Sequence, residues 1–308
     1  MIKALKPLLL FFILCCAATP VWAQHSFDLS NVPALKKYQD SLISISEAMY
    51  NAGNNQDRFA ANATFIKTLV NALKTQASFN FPFDSLKKVT VLKSPDNALR
   101  LISWYVPNDD GTYRFFGTIQ MATKDGKLKM FPLIDGTDKI KDVNQVTDNK
   151  NWYGARYYQI VPVKINGQQP YYVLIGWKGN NAKTSKKVIE ILSFDRAGQP
   201  VFGKTVFDGV KGSSQKNRVV FEYNKLNSMT LTMDRSVNMI VFDHLAPFTP
   251  DLEGNFEFYA SDLSFDAYRV AGGRLKLVEN VEMKNEPNAM DDFYADPKDK
   301  STKAPKKL

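Results

Sequence analysis

From Pro33 onward the chain places Leu35, Tyr38, Leu42, Ile45 and Met49 at steps of three and four. That spacing lays one apolar stripe along a helix. Pro33 suits the first turn, where its missing N–H is not needed. Gly53-Asn54-Asn55 interrupts the pattern, which resumes as Phe59, Ala63, Ile66, Val70, Leu73 and Ala77, with Asp57 placed to cap the second helix. Two striped helices with a short break between them predict a hairpin packed on another layer.

At about Lys88 the period changes. Short runs rich in β-branched and aromatic residues alternate with turn markers as far as Glu282. Thirteen strands are expected: Val89–Leu92, Leu99–Val106, Tyr113–Met121, Leu128–Ile134, Tyr157–Val163, Tyr171–Trp177, Val188–Phe194, Val201–Phe207, Val219–Tyr223, Met229–Met233, Met239–Phe242, Phe265–Val270 and Leu275–Val278. Asp110-Gly111, Asp125-Gly126, Asn166-Gly167 and Gly272-Gly273 mark hairpins or loops. No helical segment separates these strands, so the sheets are antiparallel. The expected fold class is mainly β, either propeller-like or a sandwich, preceded by an N-terminal helical hairpin.

The two ends read differently. Lys3 and Lys6, an apolar run from Leu8 to Ala18, Pro20 and Val21-Trp22-Ala23 compose a cleavable signal peptide over residues 1–23. The run is too short to span a bilayer as an anchor. Cleavage after Ala23 removes both cysteines, Cys15 and Cys16, and leaves a mature chain without disulfide, thiol nucleophile or thiolate metal site. Lipid attachment at Cys15 or Cys16 is the competing route, disfavoured by the bulky Phe12-Ile13-Leu14 before them. After Lys284 apolar periodicity is lost, and Lys298 to Leu308 holds five lysines against one aspartate, a composition that favours disorder. The expected organisation is therefore a signal peptide (1–23), a helical hairpin packed on the β domain (24–79), a β domain of about three four-stranded units (80–283) and a disordered basic tail (284–308).

Those units rest on a faint repeat. Leu99-Arg100-Leu101-Ile102-Ser103-Trp104 and Tyr172-Val173-Leu174-Ile175-Gly176-Trp177 each lead into further strands, with the tryptophans 73 residues apart. A third, degenerate unit runs from Arg218 to Val281. Ser94-Pro95-Asp96, ahead of the first copy, resembles the turn of TolB-like propeller repeats. Phe81-Pro82-Phe83-Asp84-Ser85-Leu86, Asp110-Gly111-Thr112-Tyr113, Tyr172 to Trp177, Pro200-Val201-Phe202-Gly203 and Met239 to Leu245 resemble exported proteins of unknown function from Bacteroidota-type bacteria. That resemblance implies a Gram-negative envelope setting, in the periplasm or at the outer-membrane periphery, and carries no activity.

Candidate chemistry is sparse. The mature chain has two histidines: His25, next to its start, and His244, beside Asp243 at a strand end. No G-x-S-x-G, H-E-x-x-H or Walker-type loop occurs, and neither a metal site nor a cofactor is expected. Asp243, Asp251, Glu253, Glu257, Asp262 and Asp266 crowd one segment, and paired carboxylates suffice for glycoside hydrolysis, although surface turns also collect acids. Asn151-Trp152-Tyr153-Gly154-Ala155-Arg156 lies between strand blocks. Trp152, Tyr153 and Arg156 there could stack on a sugar and grip an anion; the competing reading has Trp152 plugging a seam between two sheets. Trp104 and Trp177 are expected in structural roles.

Charge adds one hint. Loss of Lys3 and Lys6 takes the basic count from 40 to 38 against 31 acidic residues, a net charge of +7. The basic residues are dispersed, which excludes a nucleic-acid footprint but allows attraction to anionic envelope polymers. The expectation is an exported, non-catalytic binding or scaffold protein whose partner is an anionic envelope glycan or another envelope protein. The alternative is a carboxylate-dependent glycan hydrolase. No transmembrane segment is expected in the mature chain.

Overall fold

The computed structural model describes residues 29–209 and 216–282. The expected signal peptide and the basic tail lie outside the described residues.

The hairpin forms as α1 (Val32–Asn51) and α2 (Asn55–Lys74). On α1, Leu35, Leu42 and Met49 are fully buried, as their spacing requires. On α2 Leu73 of the expected stripe is fully buried, but the rest of the buried face runs one residue ahead of that stripe, through Arg58, Asn62, Phe65, Leu69 and Ala72, and Ala63 is exposed. The reason is polar. Arg58 donates from Nη1 to the Pro107 carbonyl at 2.7 Å and pairs with Asp109, while Asn62 Oδ1 accepts the Trp104 indole N–H at 2.8 Å. These contacts turn the helix, and Ile66 and Val70 are left lining a narrow apolar cleft against Phe116 and Leu133. Asn54, not Asp57, is the N-cap: its Oδ1 accepts the Asp57 N–H, and its amide donates back to the Asp57 carboxylate, both at 2.9 Å.

Fifteen strands follow among the described residues. The first four are β1 (Thr90–Lys93), β2 (Leu99–Pro107), β3 (Tyr113–Met121) and β4 (Met130–Ile134). Next come β5 (Thr147–Asp148), β6 (Arg156–Val163), β7 (Tyr171–Gly179), β8 (Thr184–Phe194) and β9 (Pro200–Phe202). The last six are β10 (Phe207–Asp208), β11 (Val219–Asn224), β12 (Leu231–Asp234), β13 (Met239–Pro247), β14 (Tyr259–Ala271) and β15 (Arg274–Val278). They make three sheets, ordered β1-β2-β3-β4, β5-β9-β8-β7-β6 with β11 added against β8, and β10-β15-β14-β13-β12. All pairings are antiparallel except β10 with β15. The chain is mainly β with antiparallel sheets behind a helical hairpin, as expected, and the sheets do not close into a barrel.

Apolar residues on alternate faces stack these elements into four layers. Ile102, Trp104 and Val106 of β2 pack on the hairpin. Leu99 and Leu101 of β2 meet Tyr172 and Leu174 of β7. Tyr171, Val173 and Ile175 of β7 meet Ile240 and Phe242 of β13. β2, β7 and β8 bury side chains on both faces, which explains the long apolar runs of β2 and β7.

This geometry corrects the alignment of the two tryptophans. Leu99 and Leu101 lie in the same core as their partners at an offset of 73, Tyr172 and Leu174, so the aligned residues point at one another instead of the same way through the stack. Side chains alternate with a period of two along each strand, so a shift of the alignment by one residue exchanges the faces being compared. Trp104 is buried against the hairpin, whereas Trp177 is half-buried against Tyr105, Tyr113 and Phe115.

The terminal strands β1, β6 and β12 of the three sheets run close together. Arg156 Nε of β6 donates to Thr90 Oγ1 of β1 at 2.8 Å. On the other side, Tyr158 OH donates to the Leu231 carbonyl at 2.8 Å, and Gln159 Oε1 accepts the Met233 N–H at 2.8 Å. The junction of β1 and β6 is where the molecule opens.

Candidate binding cleft

A cleft of ≈ 610 Å³ runs between β1 and the segment 79–89 that joins the hairpin to it. The segment is held down by Phe81, Phe83, Leu86 and Val89, which fill the core under the hairpin. Their burial leaves Phe79, Lys87 and the β1 side chains around the opening. Arg100 forms the floor.

Arg100 is 1% exposed, and every partner it has is neutral. Nε donates to Gln120 Oε1 at 3.1 Å, Nη1 to the Phe81 carbonyl at 2.5 Å and Nη2 to the Ser78 carbonyl at 3.1 Å. Phe83 stacks under the guanidinium at 5.0 Å. Burial without a carboxylate pulls its pKa down to about 9. Across the β1–β2 ladder, Arg100 stands opposite Lys93. Directly opposed like charges destabilise a sheet. Lys93 lies over the Phe79 ring at 4.7 Å, and its pKa is lowered by desolvation and by the Arg100 charge. Lys87, Lys93, Arg100 and Arg156 all line the cleft, and none forms an ion pair with a described residue. Asp84 is the single carboxylate on the lining.

Arg156 is the hinge between this cleft and a second recess of ≈ 340 Å³, lined by Thr90, Tyr105, Arg156, Tyr158 and Trp177. Its guanidinium is fixed by Thr90 Oγ1 and by the Lys87 carbonyl at 3.3 Å. Trp177 Nε1 donates to Ser185 Oγ at 2.8 Å, and the ring packs 4.9 Å from Tyr105. Three half-buried aromatic rings thus surround one face of Arg156.

Of the residues expected on a ligand surface, Arg156 is therefore at the cleft, while Trp152 and Tyr153 are enclosed at 0% and 4% exposure. Backbone geometry draws them in. Trp152 N–H donates to the Ile134 carbonyl at 2.9 Å, and Gly136 N–H to the Trp152 carbonyl at 2.7 Å, docking the segment beside β4. The indole fills the seam between the first two sheets, donates to Tyr157 OH at 3.0 Å and passes over Gly117, where a side chain would collide with the Ile102 carbonyl. Tyr153 lies between Lys178 Nζ, 4.3 Å from its ring centroid, and the Arg218 guanidinium at 5.0 Å. Lys178 donates to Thr137 Oγ1 at 2.7 Å, to the Gly154 carbonyl at 2.9 Å and to the Tyr153 carbonyl. Burial brings its pKa down to about 7, against an opposing pull from Asp135. Arg218 Nε donates to buried Glu190 at 2.8 Å, and burial still pushes that carboxyl up. These bonds fasten the 137–154 segment to β7 and to the start of β11.

No family model, curated protein or solved structure matches the chain. The site is therefore read from its own residues.

The acidic segment does not build a comparable site. Asp243 accepts the Thr230 N–H, Glu257 pairs with Lys183 and Asp262 closes a turn onto Ser264. Asp266 accepts from Asn280 N–H at 3.0 Å and meets His244 Nδ1 at 2.8 Å beside a register shift in β13–β14. That contact, with desolvation opposing it, raises the His244 pKa. Among the described residues no group of three or more His, Cys, Asp or Glu is placed to hold a metal ion, and no helix is long and apolar enough to cross a membrane.

Sequence reading missed Lys93, Arg100 and Trp177 as site residues. The available signal was the Ser94-Pro95-Asp96-Asn97 turn, which folds Lys93 back opposite Arg100. Ser94 N–H donates to the Leu99 carbonyl at 2.9 Å, Leu99 N–H to Ser94 Oγ at 3.1 Å, and Asp96 is tied to Tyr172 OH at 2.8 Å.

Proposed function

We propose that this is an exported binding protein that holds an anionic glycan in the cleft at β1, without chemistry of its own. The observation that carries the reading is a set of four cations on one concave surface without ion-pair partners among the described residues, two of them opposed across a single ladder position. Leaving charge unpaired and partly desolvated costs free energy that an incoming anion returns. Beyond Arg156, the aromatic faces of Tyr105, Tyr158 and Trp177 suit the apolar faces of sugar rings. A hydrolase using two carboxylates is the weaker reading, because the cleft lining carries one, Asp84. An envelope location supports the choice of partner, since acidic polysaccharides are abundant there and the basic chain is attracted to them.

Affinity electrophoresis of the chain from Gln24 to Leu308 through gels containing acidic or neutral polysaccharides tests this. Retardation by acidic polymers alone, lost in Lys93→Gln and Arg156→Gln, is expected. Equal mobility in every gel, or retardation that survives both substitutions, would overturn it.

A further inference from the structure

The cleft and the aromatic recess are adjacent, and Thr90 and Arg156 line both. They differ in chemistry. The cleft holds Lys87, Lys93 and Arg100, with Lys93 lying over the Phe79 ring, whereas the recess has three rings and no charged side chain besides Arg156. Arg156 is anchored by one nitrogen to Thr90 Oγ1 and by another to the Lys87 carbonyl. Guanidinium carries five N–H donors in a planar fork, so this anchoring leaves donors to spare. A single small acid would engage the cationic side and leave the rings unused.

We infer that the two recesses form one bipartite site, joined at Arg156, which takes consecutive units of an acidic oligosaccharide: an acid group in the cleft and the adjoining ring against Trp177. This rests on the anionic-glycan reading above and adds to it a minimum ligand length and a second recognition element. The geometry supports a fixed stacking platform. Trp177 is held by its bond to Ser185 Oγ at 2.8 Å, and Tyr105 and Tyr113 brace it edge-on or tilted at 4.9 and 5.0 Å. Tyr158, anchored through its hydroxyl to the Leu231 carbonyl, walls the far side and is itself capped by Lys187 at 5.6 Å from the ring centroid. Rigid rings lose little entropy on binding, so stacking there adds affinity efficiently. Stacking of one ring there is expected to add roughly tenfold in affinity, the equivalent of about 1.4 kcal/mol.

The test is a calorimetric titration of the chain from Gln24 to Leu308 with galacturonate and its di-, tri- and tetramers, in parallel with acrylamide quenching of tryptophan fluorescence. Trp104 and Trp152 are 3% and 0% exposed, so quenching reports mainly on Trp177. The expected result is a rise in affinity of about tenfold or more between the monomer and the di- or trimer, with Trp177 protected by the oligomers only. Trp177→Leu should abolish the rise in affinity from monomer to oligomer, and Tyr158→Leu, a second variant in case the first unfolds, should do the same. Lys93→Gln should weaken monomer and oligomer alike. Equal affinity per site for monomer and tetramer, or oligomer binding that leaves Trp177 open to acrylamide, overturns the bipartite site while keeping the anion-binding cleft. Absence of binding by all four lengths, together with unretarded migration in acidic gels, removes the cleft reading as well.

Discussion

Lys93 and Arg100 face each other at one rung of the β1–β2 ladder, and neither has an acid within ion-pair reach among the described residues. Such a pair weakens the unliganded fold, which is the usual mark of a residue kept for binding. Lys93→Gln removes the repulsion and keeps the reach of a polar side chain. The expected outcome is a protein more stable by about 0.2–1 kcal/mol in urea, the range for a like-charged cross-strand pair, with weaker anion binding. A variant destabilised by the change would show that Lys93 supports the strand. Lys178 is the buried cation of the other kind, with three oxygen acceptors and two rings around it and no opening above. Its pKa is about 7 folded and 10.5 in the ordinary state, so above pH 7 the unfolded chain holds a proton that the folded chain has released. From this residue, stability rises with pH between 7 and 10.5. Thermal melts of wild type and Lys178→Met at pH 7 and pH 9.5 should show a positive difference in slope for the wild type. Parallel slopes would mean that the ammonium stays charged in its ring of carbonyls.

At the scale of elements, the strands were legible where alternation is strict or burial is two-sided. Tyr113–Met121 is β3 to the residue, and Leu99 and Tyr171 open β2 and β7 as expected. The strand expected at Val201–Phe207 is instead β9 and β10 separated by a turn at Gly203, whose φ of +95° breaks extended backbone. The two-residue β5 is too short to leave a pattern. On α2 the apolar stripe placed Leu73 correctly but missed most of the fully buried face by one position, because Arg58 and Asn62 are buried through specific bonds to Pro107, Asp109 and Trp104 that an apolar count cannot register. The correction separates two substitutions. Leu42→Asp places an unpaired charge where nothing is exposed and should cost several kcal/mol. Ala63→Asp, on the expected stripe but exposed, should change stability by about 0.5 kcal/mol or less. Denaturant midpoints decide this, and a large loss from Ala63→Asp would restore the original stripe. The site was legible only through Arg156. Trp152 and Tyr153 share its loop, yet Gly154, at φ +79°, turns the chain so that the rings go inward to the seam and the arginine outward to β1.

For the whole molecule, the layering explains why unpaired cations and half-buried rings collect at the row of terminal strands among the described residues. The hairpin and the three sheets cover one another's faces, leaving β1, β6 and β12 as the edges that meet. At that junction neither sheet supplies apolar cover, and the side chains present are long cations and half-buried rings. The dispersed surplus of basic residues in the sequence thus has one local focus, set by register and by the Ser94–Asn97 turn and not by any run of Lys or Arg. The most direct measurement of this account uses one polymer in two charge states. Calorimetry of the chain from Gln24 to Leu308 with polygalacturonate and with its fully methyl-esterified form keeps the sugar and removes the anion. Binding to the free acid alone is expected, weakening steeply as salt is raised from low ionic strength to about 0.5 M, where screening falls to a few ångströms. Equal binding of both forms, or binding to the acid that is indifferent to salt and to Lys93→Gln with Arg156→Gln, would contradict it.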